Sequence, residues 1–438
     1  MVNVLLIGNG AREHVVAETL KKNSDVKLYS YMQSRNPGID SLSEEVEIGD
    51  YDDFELIKKF ASSLNLDFAF VGPEGPLSNG MADLLEELSI PTVGPRKELA
   101  KLESSKSFTR ILVEENGIEG NPKFMIFDNN NLKEASEFMD TLSGIVIKPD
   151  GLTGGKGVQV QGDHFQTKEE AIKYCEDVLV KHPHVVVEDK LDGEEFSFMC
   201  FTDGRTVLPM PLVQDHKRAL KGDKGPNTGG MGSYSCADHS LPFLKKEDVD
   251  TALKINKEVV EAIHKKTGQF FRGIIYGGFI ITKDGVKLIE YNARFGDPEV
   301  MNVLPLLKTD FVDVCKAIID HKLDGINLEF ENKATVCKYI VPEGYPASPV
   351  KDEMITIGEI PKNAKIYYSS VDKREGGIFM TSSRAVAVVG IADNIEESEK
   401  FSEQAVSCVK GRVFHRFDIG TKELIQKRID HMESLGRK

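Results

Sequence analysis

The amino-acid sequence predicts a multidomain α/β protein that begins with a doubly wound parallel sheet. Its 438 residues correspond to about three domains, because a domain has on the order of 150 residues. In the first hundred residues, apolar strand-like runs alternate with helical patterns in βαβαβ order. Glycine-rich turns follow these runs, and the ligands of such sheets bind at the carboxyl ends of the strands.

The N-terminal region contains three predicted strands and three predicted helices. The strands are the apolar runs Val2–Gly8, Asp25–Tyr31 and Leu66–Gly72. The helices are Arg12–Lys22, Asp53–Leu64 and Gly80–Leu88. The glycine-rich turns are Gly8–Gly10, Asn36–Gly38 and Gly72–Pro76.

The order of strand-like and helical segments along the chain changes near Ser104 and again near Asn332. These changes predict three domains with the boundaries 1–104, 105–330 and 331–438. In the middle region the predicted strands are Gly144–Pro149, Gly157–Gln161, His184–Glu188 and Glu195–Thr202, with a hairpin of Gly273–Ile281 and Gly285–Tyr291. The predicted helices there are Lys168–Val180 and Lys246–Lys266, and Gln214–Gly232 is predicted as a polar loop. The last region has predicted strands Ala334–Val341 and Ala385–Gly390 and a helix Asn394–Cys408.

Composition excludes several classes of partner. The net charge is −15, which disfavours binding to nucleic acid or to anionic lipid. Six scattered cysteines have no zinc-ligand spacing and indicate reduced thiols in a cytoplasmic protein. No run approaches 18 apolar residues, and the start of the chain lacks the features of a signal peptide.

The turn Gly8–Glu13 follows a strand and opens a helix, as a dinucleotide fingerprint does. Glu13 occupies the third glycine position, and the second strand ends without an acidic residue, which disfavours a nicotinamide cofactor. Backbone N–H groups at a helix N-terminus attract phosphate, and Arg12 would add a charge-assisted contact. The alternative is a tight turn without a ligand.

The segment Lys148–Val158 carries four glycines and two lysines between two predicted strands. It is not a Walker loop, because the spacing differs and no helix follows. A glycine loop of this kind is suited to cover a triphosphate as a mobile flap. A structural hairpin is the alternative, although one or two glycines would suffice for it.

The segment Val286–Glu299 carries the clearest metal-binding chemistry. Glu290 and Asn292 are two residues apart on a strand, so we expect them to share one face with Leu288, while Ile289 and Tyr291 face away. A carboxylate and an amide oxygen suit Mg²⁺, and Arg294 would neutralise a phosphoryl group. The alternative is a solvated edge strand.

Four segments together resemble the glycinamide ribonucleotide synthetases, also called phosphoribosylamine–glycine ligases, of the ATP-grasp superfamily. They are LLIGNGAREH, IKPDGLTGGKGV, QDHKRALKGDKGPNTGGMGSYS and EYNARFGDPE, and SSRAVAVVG with RFDIG resembles the last domain of that family. The resemblance covers essentially the whole chain. It implies an N-terminal substrate domain, an ATP-grasp domain with a lid subdomain at about 123–193, and a small mixed α/β C-terminal domain.

The resemblance also implies the reaction. ATP, glycine and 5-phosphoribosylamine would give ADP, phosphate and glycinamide ribonucleotide through a glycyl phosphate, in de novo purine biosynthesis, with Mg²⁺ or Mn²⁺ required. No covalent enzyme nucleophile is needed, because catalysis is positioning and charge neutralisation. The partners would be these small molecules only, and the protein would be a monomer.

Site residues follow from the resemblance, motif by motif. ATP binding is expected at Lys106, Lys148, Gly151, Gly154, Gly155, Lys156, Gly157, Glu188 and Glu195, although the two glutamates could instead be surface charges. Phosphoribosylamine is expected at Gly10, Arg12, Asn36, Gly38, Pro73, Glu74, Pro226, Asn227, Thr228, Gly229 and Gly230. The metal ligands are expected to be Glu290 and Asn292, and the catalytic residues Asp215 and Arg294, with Lys217 close by.

Three alternatives remain at this stage. The first is another ATP-grasp enzyme, either a different carboxylate–amine ligase or a carboxylating enzyme, and the segment NARFGDPE disfavours it. Another is a Rossmann oxidoreductase, which rests on the first glycine turn alone. The third is a non-catalytic nucleotide-binding subunit, in which we would expect Glu290 or Asn292 to be lost.

Overall fold

The structure is a computed structural model that describes residues 1–154 and 157–437. Its helices are α1 (Ala11–Leu20), α2 (Pro37–Leu42), α3 (Phe54–Ser63), α4 (Glu74–Asn79), α5 (Met81–Glu87), α6 (Lys97–Ser104), α7 (Lys106–Glu115), α8 (Ala135–Met139), α9 (Lys168–Leu179), α10 (Lys246–Thr267), α11 (Val300–Val303), α12 (Phe311–Asp320), α13 (Ile395–Val406) and α14 (Lys422–Ser434).

The strands of the first half are β1 (Val2–Ile7), β2 (Val26–Met32), β3 (Ser43–Ile48), β4 (Phe68–Val71), β5 (Thr92–Val93), β6 (Phe124–Phe127), β7 (Ile145–Pro149), β8 (Gln159–Val160), β9 (Val185–Asp189), β10 (Gly193–Thr202) and β11 (Val207–Pro209). The later strands are β12 (Gln214–Asp215), β13 (Arg218–Leu220), β14 (Lys224–Asn227), β15 (Gly232–Ser235), β16 (Gly273–Thr282), β17 (Gly285–Asn292), β18 (Ala334–Pro342), β19 (Met354–Ile357), β20 (Ala364–Tyr368), β21 (Val371–Arg374), β22 (Gly377–Met380), β23 (Val386–Ala392), β24 (Val409–Lys410) and β25 (Val413–His415).

The N-terminal sheet is parallel and has the order β3-β2-β1-β4-β5, which confirms the predicted doubly wound fold. Alternate residues of the central strand β1 enter two different cores. Val4 and Leu6 belong to the larger core, whereas Leu5 and Ile7 belong to a core on the other face of the sheet. A strand buried on both faces is continuously apolar, which is why this strand is visible in the sequence.

Five elements of this region are absent from the prediction, namely α2, β3, α4, β5 and α6. Strand β3 has the charged sequence SEEVEI and lies at the edge of the sheet, so it lacks an apolar signal. Helix α2 has six residues, and it begins where the Asn36 side chain accepts hydrogen bonds from the N–H groups of Gly38 and Ile39. Helix α4 is equally short.

The middle region contains two four-stranded antiparallel sheets and the two-stranded sheet β13-β14. The small sheet β6-β9-β7-β8 packs with α8 and α9 around a separate core that includes Phe127, Ile147 and Val187. The larger sheet has the order β11-β10-β16-β17 and packs against the long helix α10, of which Ile255 and Val259 are buried. The predicted hairpin and the predicted long helix are both confirmed.

The segment 214–232 was expected to be a loop, and this expectation is wrong. It forms β12, β13 and β14 and leads into β15, and β12 and β15 join the sheet β12-β15-β18-β23-β20 of the C-terminal region. Polar residues and glycines dominate the segment, so the period-two alternation that marks a strand is missing. The C-terminal region has a second sheet, β21-β22-β19-β24, and strand β25 pairs with β18. Among the described residues, no helix has the length and apolarity needed to cross a bilayer.

We expect Gly232→Ala to destabilise the protein by about 1–3 kcal/mol, since a residue with a side chain is strained in this conformation. Gly232 has a φ of +149°, and an added Cβ would lie 2.2 Å from the carbonyl oxygen of Cys337 on the paired strand. The measurement is urea unfolding at equilibrium. The control is Gly325→Ala, because nothing lies within 4 Å of an added Cβ there. Equal stability of the two variants would contradict the strand pairing described here.

Candidate active site

A small cavity with both apolar and charged lining residues lies where the larger sheet of the middle region meets β12. It is lined by Glu195, Phe196, Ser197, Asp215, Lys217, Tyr276, Gly278, Phe279, Ile289 and Glu290. Four of the residues predicted from the sequence, namely Glu195, Asp215, Lys217 and Glu290, therefore lie together.

Strand β17 contains a β-bulge beside this cavity. Gly278 pairs with Glu290, but the next residue, Phe279, pairs with Leu288, so Ile289 is the extra residue. Leu288 is fully buried in the core, whereas Ile289 and Glu290 both line the cavity. The prediction that Leu288 shares a face with Glu290 while Ile289 faces away is therefore wrong, because a bulge interrupts the period of two.

The Glu290 carboxylate stays ionised although it is partly buried. Burial opposes its ionisation, but the charges of Lys217, Lys106, Lys148 and Arg294 outweigh burial and lower its pKa. In the part of the chain that the structure describes, no hydrogen-bond donor or cationic side chain contacts this carboxylate directly. An ionised, uncontacted carboxylate in a field of cations is suited to bind a metal ion.

Three buried charged residues form a cluster behind the bulge, which we call the Arg110 cluster (Arg110, Lys148 and Glu188). The Nε and Nη2 atoms of Arg110 donate to the two oxygens of Glu188 at 2.6 and 3.0 Å, and Lys148 Nζ lies 2.7 Å from Glu188 Oε2. Burial opposes ionisation of Glu188, but Arg110 and Lys148 lower its pKa to about 2. Both oxygens of Glu188, which was predicted to bind ATP, are engaged by these cations.

A second set of charges lines the opposite part of the cavity. Lys217 Nζ lies 3.2 Å from Glu195 Oε2, and the Glu195 carboxylate is the main cause of a raised pKa of Lys217. Burial and the nearby Glu299 carboxylate raise the pKa of Asp215. Glu299 Oε1 in turn accepts hydrogen bonds from Ser197 (2.9 Å) and Tyr276 (2.5 Å).

The glycine-rich segment begins at an anchored residue, Asp150. Its carboxylate accepts hydrogen bonds from Ser105 Oγ and from the N–H and Oγ of Ser107, at the start of α7. Lys106 Nζ donates to the carbonyl oxygen of Gly151 at 3.0 Å, so the structure brings together two of the predicted ATP residues. Gly154 and Gly157 lie in the adjoining irregular segment. The predicted ATP residues Gly155 and Lys156 lie outside the described residues.

A third group of charges joins the N-terminal region to the segment after β17. Arg294 Nε and Arg12 Nη1 lie 3.2 and 3.4 Å from Glu74 Oε2. Arg294 Nη2 lies 2.8 Å from Glu103 Oε1, and Arg12 Nε lies 2.6 Å from Glu13 Oε1. Burial opposes ionisation of Glu74, but Arg294 and Arg12 lower its pKa to about 2.

The first glycine turn is more fully hydrogen-bonded than expected. The Gly10 N–H donates to Glu13 Oε2 at 2.7 Å, so this N–H group does not remain free for a phosphate. Asn36 Nδ2 donates to the carbonyl oxygens of Asn9 and Tyr368, the latter on β20. Among the other residues predicted for phosphoribosylamine, Gly38 lies in α2 against the His14 ring and Pro73 precedes α4.

The loop 226–230 is held by Arg384 of the C-terminal region. Arg384 Nη1 donates to the carbonyl oxygens of Gly229 (2.6 Å) and Gly230 (2.9 Å), and its Nη2 lies 3.2 Å from Asp297 Oδ2. Thr228 donates through both its N–H and its hydroxyl to the carbonyl oxygen of Lys217 at 2.8 Å. Pro226 and Asn227 end strand β14.

Sequence reasoning missed the residues that hold the predicted ones in place. Arg110 and Glu103 lie outside the four segments that carry the resemblance, and Glu13 was considered only as a departure from the dinucleotide fingerprint. Arg384 lies inside SSRAVAVVG, so the signal for it was present but was used only for the resemblance.

Glu290 and Asn292 fit a Mg²⁺ ion by the chemistry of their oxygens. Mg²⁺ binds through one or two carboxylates together with phosphate oxygens and water, so it does not need a cage of protein ligands. Among the described residues, no group of three or more His, Cys, Asp or Glu side chains forms such a cage.

The fold and the site define the class of protein. An antiparallel sheet, a small subdomain, a glycine-rich segment and a cavity in which an ionised carboxylate lies near lysine side chains together fit an ATP-grasp enzyme. Family models for phosphoribosylglycinamide synthetase match residues 2–103 (N domain), 104–300 (ATP-grasp domain) and 335–422 (C domain). The chain belongs to the phosphoribosylglycinamide synthetase family.

Two named relatives and one crystal structure support this family membership. The chain is 50% identical to a phosphoribosylamine–glycine ligase of Methanocaldococcus jannaschii and 49% identical to that of Methanococcus maripaludis, with 100% of each chain covered. The crystal structure of phosphoribosylamine–glycine ligase from Thermotoga maritima is similar, with a TM-score of 0.79 and 27% identity over 95% of this chain and 100% of that chain. The predicted fold class and the resemblance are confirmed.

We expect Glu188→Gln to destabilise the protein by about 3–5 kcal/mol at pH 7, because it leaves Arg110 and Lys148 buried without their counter-charge. The folded-state pKa of Glu188, about 2, lies below its ordinary value of 4.5. The stability that its charge contributes is therefore complete above pH 4.5 and is lost as the pH falls towards 2. The difference between wild type and variant should follow that pH range in urea unfolding.

The matched control is Glu261→Gln, because Glu261 is exposed on α10. It should change the free energy of unfolding by no more than about 0.5 kcal/mol. A Glu188 variant as stable as this control at pH 7 would show that the Arg110 cluster does not stabilise the fold.

Proposed function

We propose that the protein uses ATP to join the carboxylate of glycine to the amine of 5-phosphoribosylamine. The products are glycinamide ribonucleotide, ADP and phosphate, and the reaction belongs to de novo purine biosynthesis. Family membership over three regions and relatives of this name at about 50% identity support the assignment. The observation that carries it in this chain is the ionised Glu290 carboxylate, which faces the cavity among cations.

The chemistry requires activation of the carboxylate, since a carboxylate does not react with an amine. One glycine oxygen attacks the γ-phosphorus of ATP, the bond to the β-phosphate oxygen breaks, and ADP leaves. The amine of phosphoribosylamine then attacks the carbonyl carbon of glycyl phosphate. The bond between this carbon and the phosphate oxygen breaks, and inorganic phosphate leaves with the electron pair of that bond. Lys106, Lys148 and Lys217 would neutralise charge on the phosphates, as phosphoryl transfer requires.

The divalent ion, Mg²⁺ or Mn²⁺, would be held by Glu290 and Asn292 and would supply charge neutralisation at the phosphate oxygens. Asp215 would accept the proton that the attacking amine loses, because its raised pKa makes it a stronger base than an ordinary carboxylate. Arg294, which is paired with Glu74 and Glu103, would border the reacting groups.

We assign the substrates to two sides of the site. ATP would lie against the middle region (105–330) at Lys106, Lys148, Glu188 and Glu195 beneath the glycine-rich flap. Phosphoribosylamine would lie between the N-terminal region (1–104) and the loop 226–230, with the C-terminal region (331–438) holding that loop through Arg384. The Arg12 and Glu74 side chains lie at the N-terminal side of this space.

The decisive experiment measures ADP release with glycine and freshly generated phosphoribosylamine, each omitted in turn, and identifies the product by mass. We expect ADP only when both are present, and a product with the mass of glycinamide ribonucleotide. ADP release with a different carboxylate and amine, but not with these, would assign the chain to another ATP-grasp ligase activity and would overturn the proposal.

We expect Glu290→Gln and Asn292→Ala each to lower kcat by about 100-fold, since a metal ligand contributes several kcal/mol to charge stabilisation. Raised Mg²⁺ should partly restore Asn292→Ala, because water can replace a missing neutral oxygen, but it should not restore Glu290→Gln. The measurement is steady-state ligation against Mg²⁺ concentration. The control is Lys287→Ala on the same strand, and near-normal turnover of both site variants at limiting Mg²⁺ would show that the metal lies elsewhere.

We expect Arg12→Ala to raise the KM for phosphoribosylamine by about 10- to 150-fold, the equivalent of about 1.5–3 kcal/mol for one charge-assisted contact. The KM for ATP should stay nearly unchanged. Steady-state kinetics with each substrate varied provide the test, with Arg96→Ala, at an exposed arginine of the same region, as control. A raised KM for ATP alone would instead place the nucleotide at the first glycine turn.

A further inference from the structure

The bulge in β17 is held by a side chain that does not line the cavity. Arg110 Nη1 donates to the carbonyl oxygen of Leu288 at 3.0 Å, and Nη2 donates to that of Ile289 at 2.7 Å. Lys148 Nζ donates to the same Ile289 oxygen at 2.9 Å. One guanidinium therefore holds the two consecutive carbonyl groups that precede Glu290.

Arg110 is itself fixed on its other sides. Its bidentate contact with Glu188 sets the plane of the guanidinium, and Nη1 also donates to Asn121 Oδ1 at 3.1 Å. Asn121 Nδ2 donates to the carbonyl oxygen of Arg110 at 3.0 Å, which fixes the helix that carries it. Arg110 is only 2% exposed, so water does not compete for these contacts.

The bulge decides where Glu290 points. In a regular strand, Leu288 and Glu290 would face the same way, and Glu290 would turn into the core whenever Leu288 packs there. The extra residue Ile289 allows Leu288 to enter the core while Glu290 faces the cavity. A bulge leaves backbone groups outside the sheet ladder, and Arg110 supplies donors for two carbonyl oxygens there.

We propose that Arg110 is a positioning residue that keeps β17 bulged, aims the Glu290 carboxylate into the cavity and thereby determines how tightly the site holds a metal–nucleotide complex. The inference rests on the proposed function in one respect, because it takes Glu290 and Asn292 as the metal ligands. Arg110 contacts neither the metal nor the nucleotide in this role.

Arg110→Lys separates the charge of this residue from its geometry. Lysine keeps the positive charge beside Glu188, but its single ammonium group cannot replace a planar fork that contacts two carbonyl groups and a carboxylate together. Partners that orient a metal ligand typically change metal affinity by about 10- to 100-fold when they are replaced. We expect that loss for Mn²⁺–ADP, with metal-free ADP bound near its wild-type affinity.

The test uses Mn²⁺ as the probe and does not depend on catalysis. Water-proton relaxation and electron paramagnetic resonance report Mn²⁺–ADP binding, and calorimetry in EDTA reports ADP binding without metal. The matched control is Arg416→Lys, because Arg416 is equally buried and pairs with Asp418 through two contacts, whereas its main-chain contact is with Arg218 on β13 and not with β17. This control should leave Mn²⁺–ADP affinity unchanged.

A milder variant covers the case in which Arg110→Lys fails to fold. Asn121→Leu removes one contact on the guanidinium and one on the Arg110 backbone. As with Arg110→Lys, it should lower the affinity for Mn²⁺–ADP more than the affinity for metal-free ADP. Equal weakening of both complexes, or no weakening of either, would overturn the inference. A different result would separate the two proposals. If the wild-type protein does not ligate glycine but Arg110→Lys still lowers only the affinity for Mn²⁺–ADP, the proposed function is wrong and the positioning role of Arg110 stands.

Discussion

The buried contact between Glu188 and its two cations is the constraint on which the cavity depends. It joins α7, β7 and β9, and through the carbonyl groups of β17 it reaches the strand that carries Glu290. A buried ion pair gains little stability over an apolar replacement, but it is costly to break by removing one partner. Here every oxygen of Glu188 has a cationic donor, so the cluster can define a single arrangement of four elements.

An acidic chain concentrates its cations where anions must bind. With a net charge of −15, the molecule repels polyanions at long range, yet Lys106, Lys148 and Lys217 together lower the pKa of the half-buried Glu290 carboxylate. Such local fields act because the interior screens charge less than water does. Charge pairing also connects the N-terminal region to the segment after β17, because Arg12 and Arg294 both pair with the Glu74 carboxylate.

The sequence alone predicted the doubly wound sheet, the long helix α10 and the residues that gather in the cavity. The sheet and the helix were predicted from continuous apolar strands and amphipathic periodicity. The cavity residues Glu195, Asp215 and Lys217 were predicted from the family resemblance, and Glu290 also from its spacing to Asn292. The bulge at Ile289 was not predicted, although the sequence VKLIEYN carries a signal for it, because the apolar pair Leu288–Ile289 interrupts the alternation of apolar and polar residues. Arg110 could not be predicted, since its partners Glu188 and Leu288 are 78 and 178 residues away. Contacts over such separations leave no trace in local spacing.

The C-terminal region acts on the cavity in the same indirect way. Arg384 donates hydrogen bonds to the carbonyl oxygens of Gly229 and Gly230. Gly230 in turn lies against Asp215, because a Cβ added to Gly230 would come within 2.6 Å of the Asp215 carboxylate. The position of Asp215 is therefore limited by a glycine whose own position is set by Arg384. Strands β12 and β15 join the C-terminal sheet, so this wall of the cavity forms only when that sheet is assembled. Packing of the C-terminal region is thus a condition for the site, although its side chains do not line the cavity.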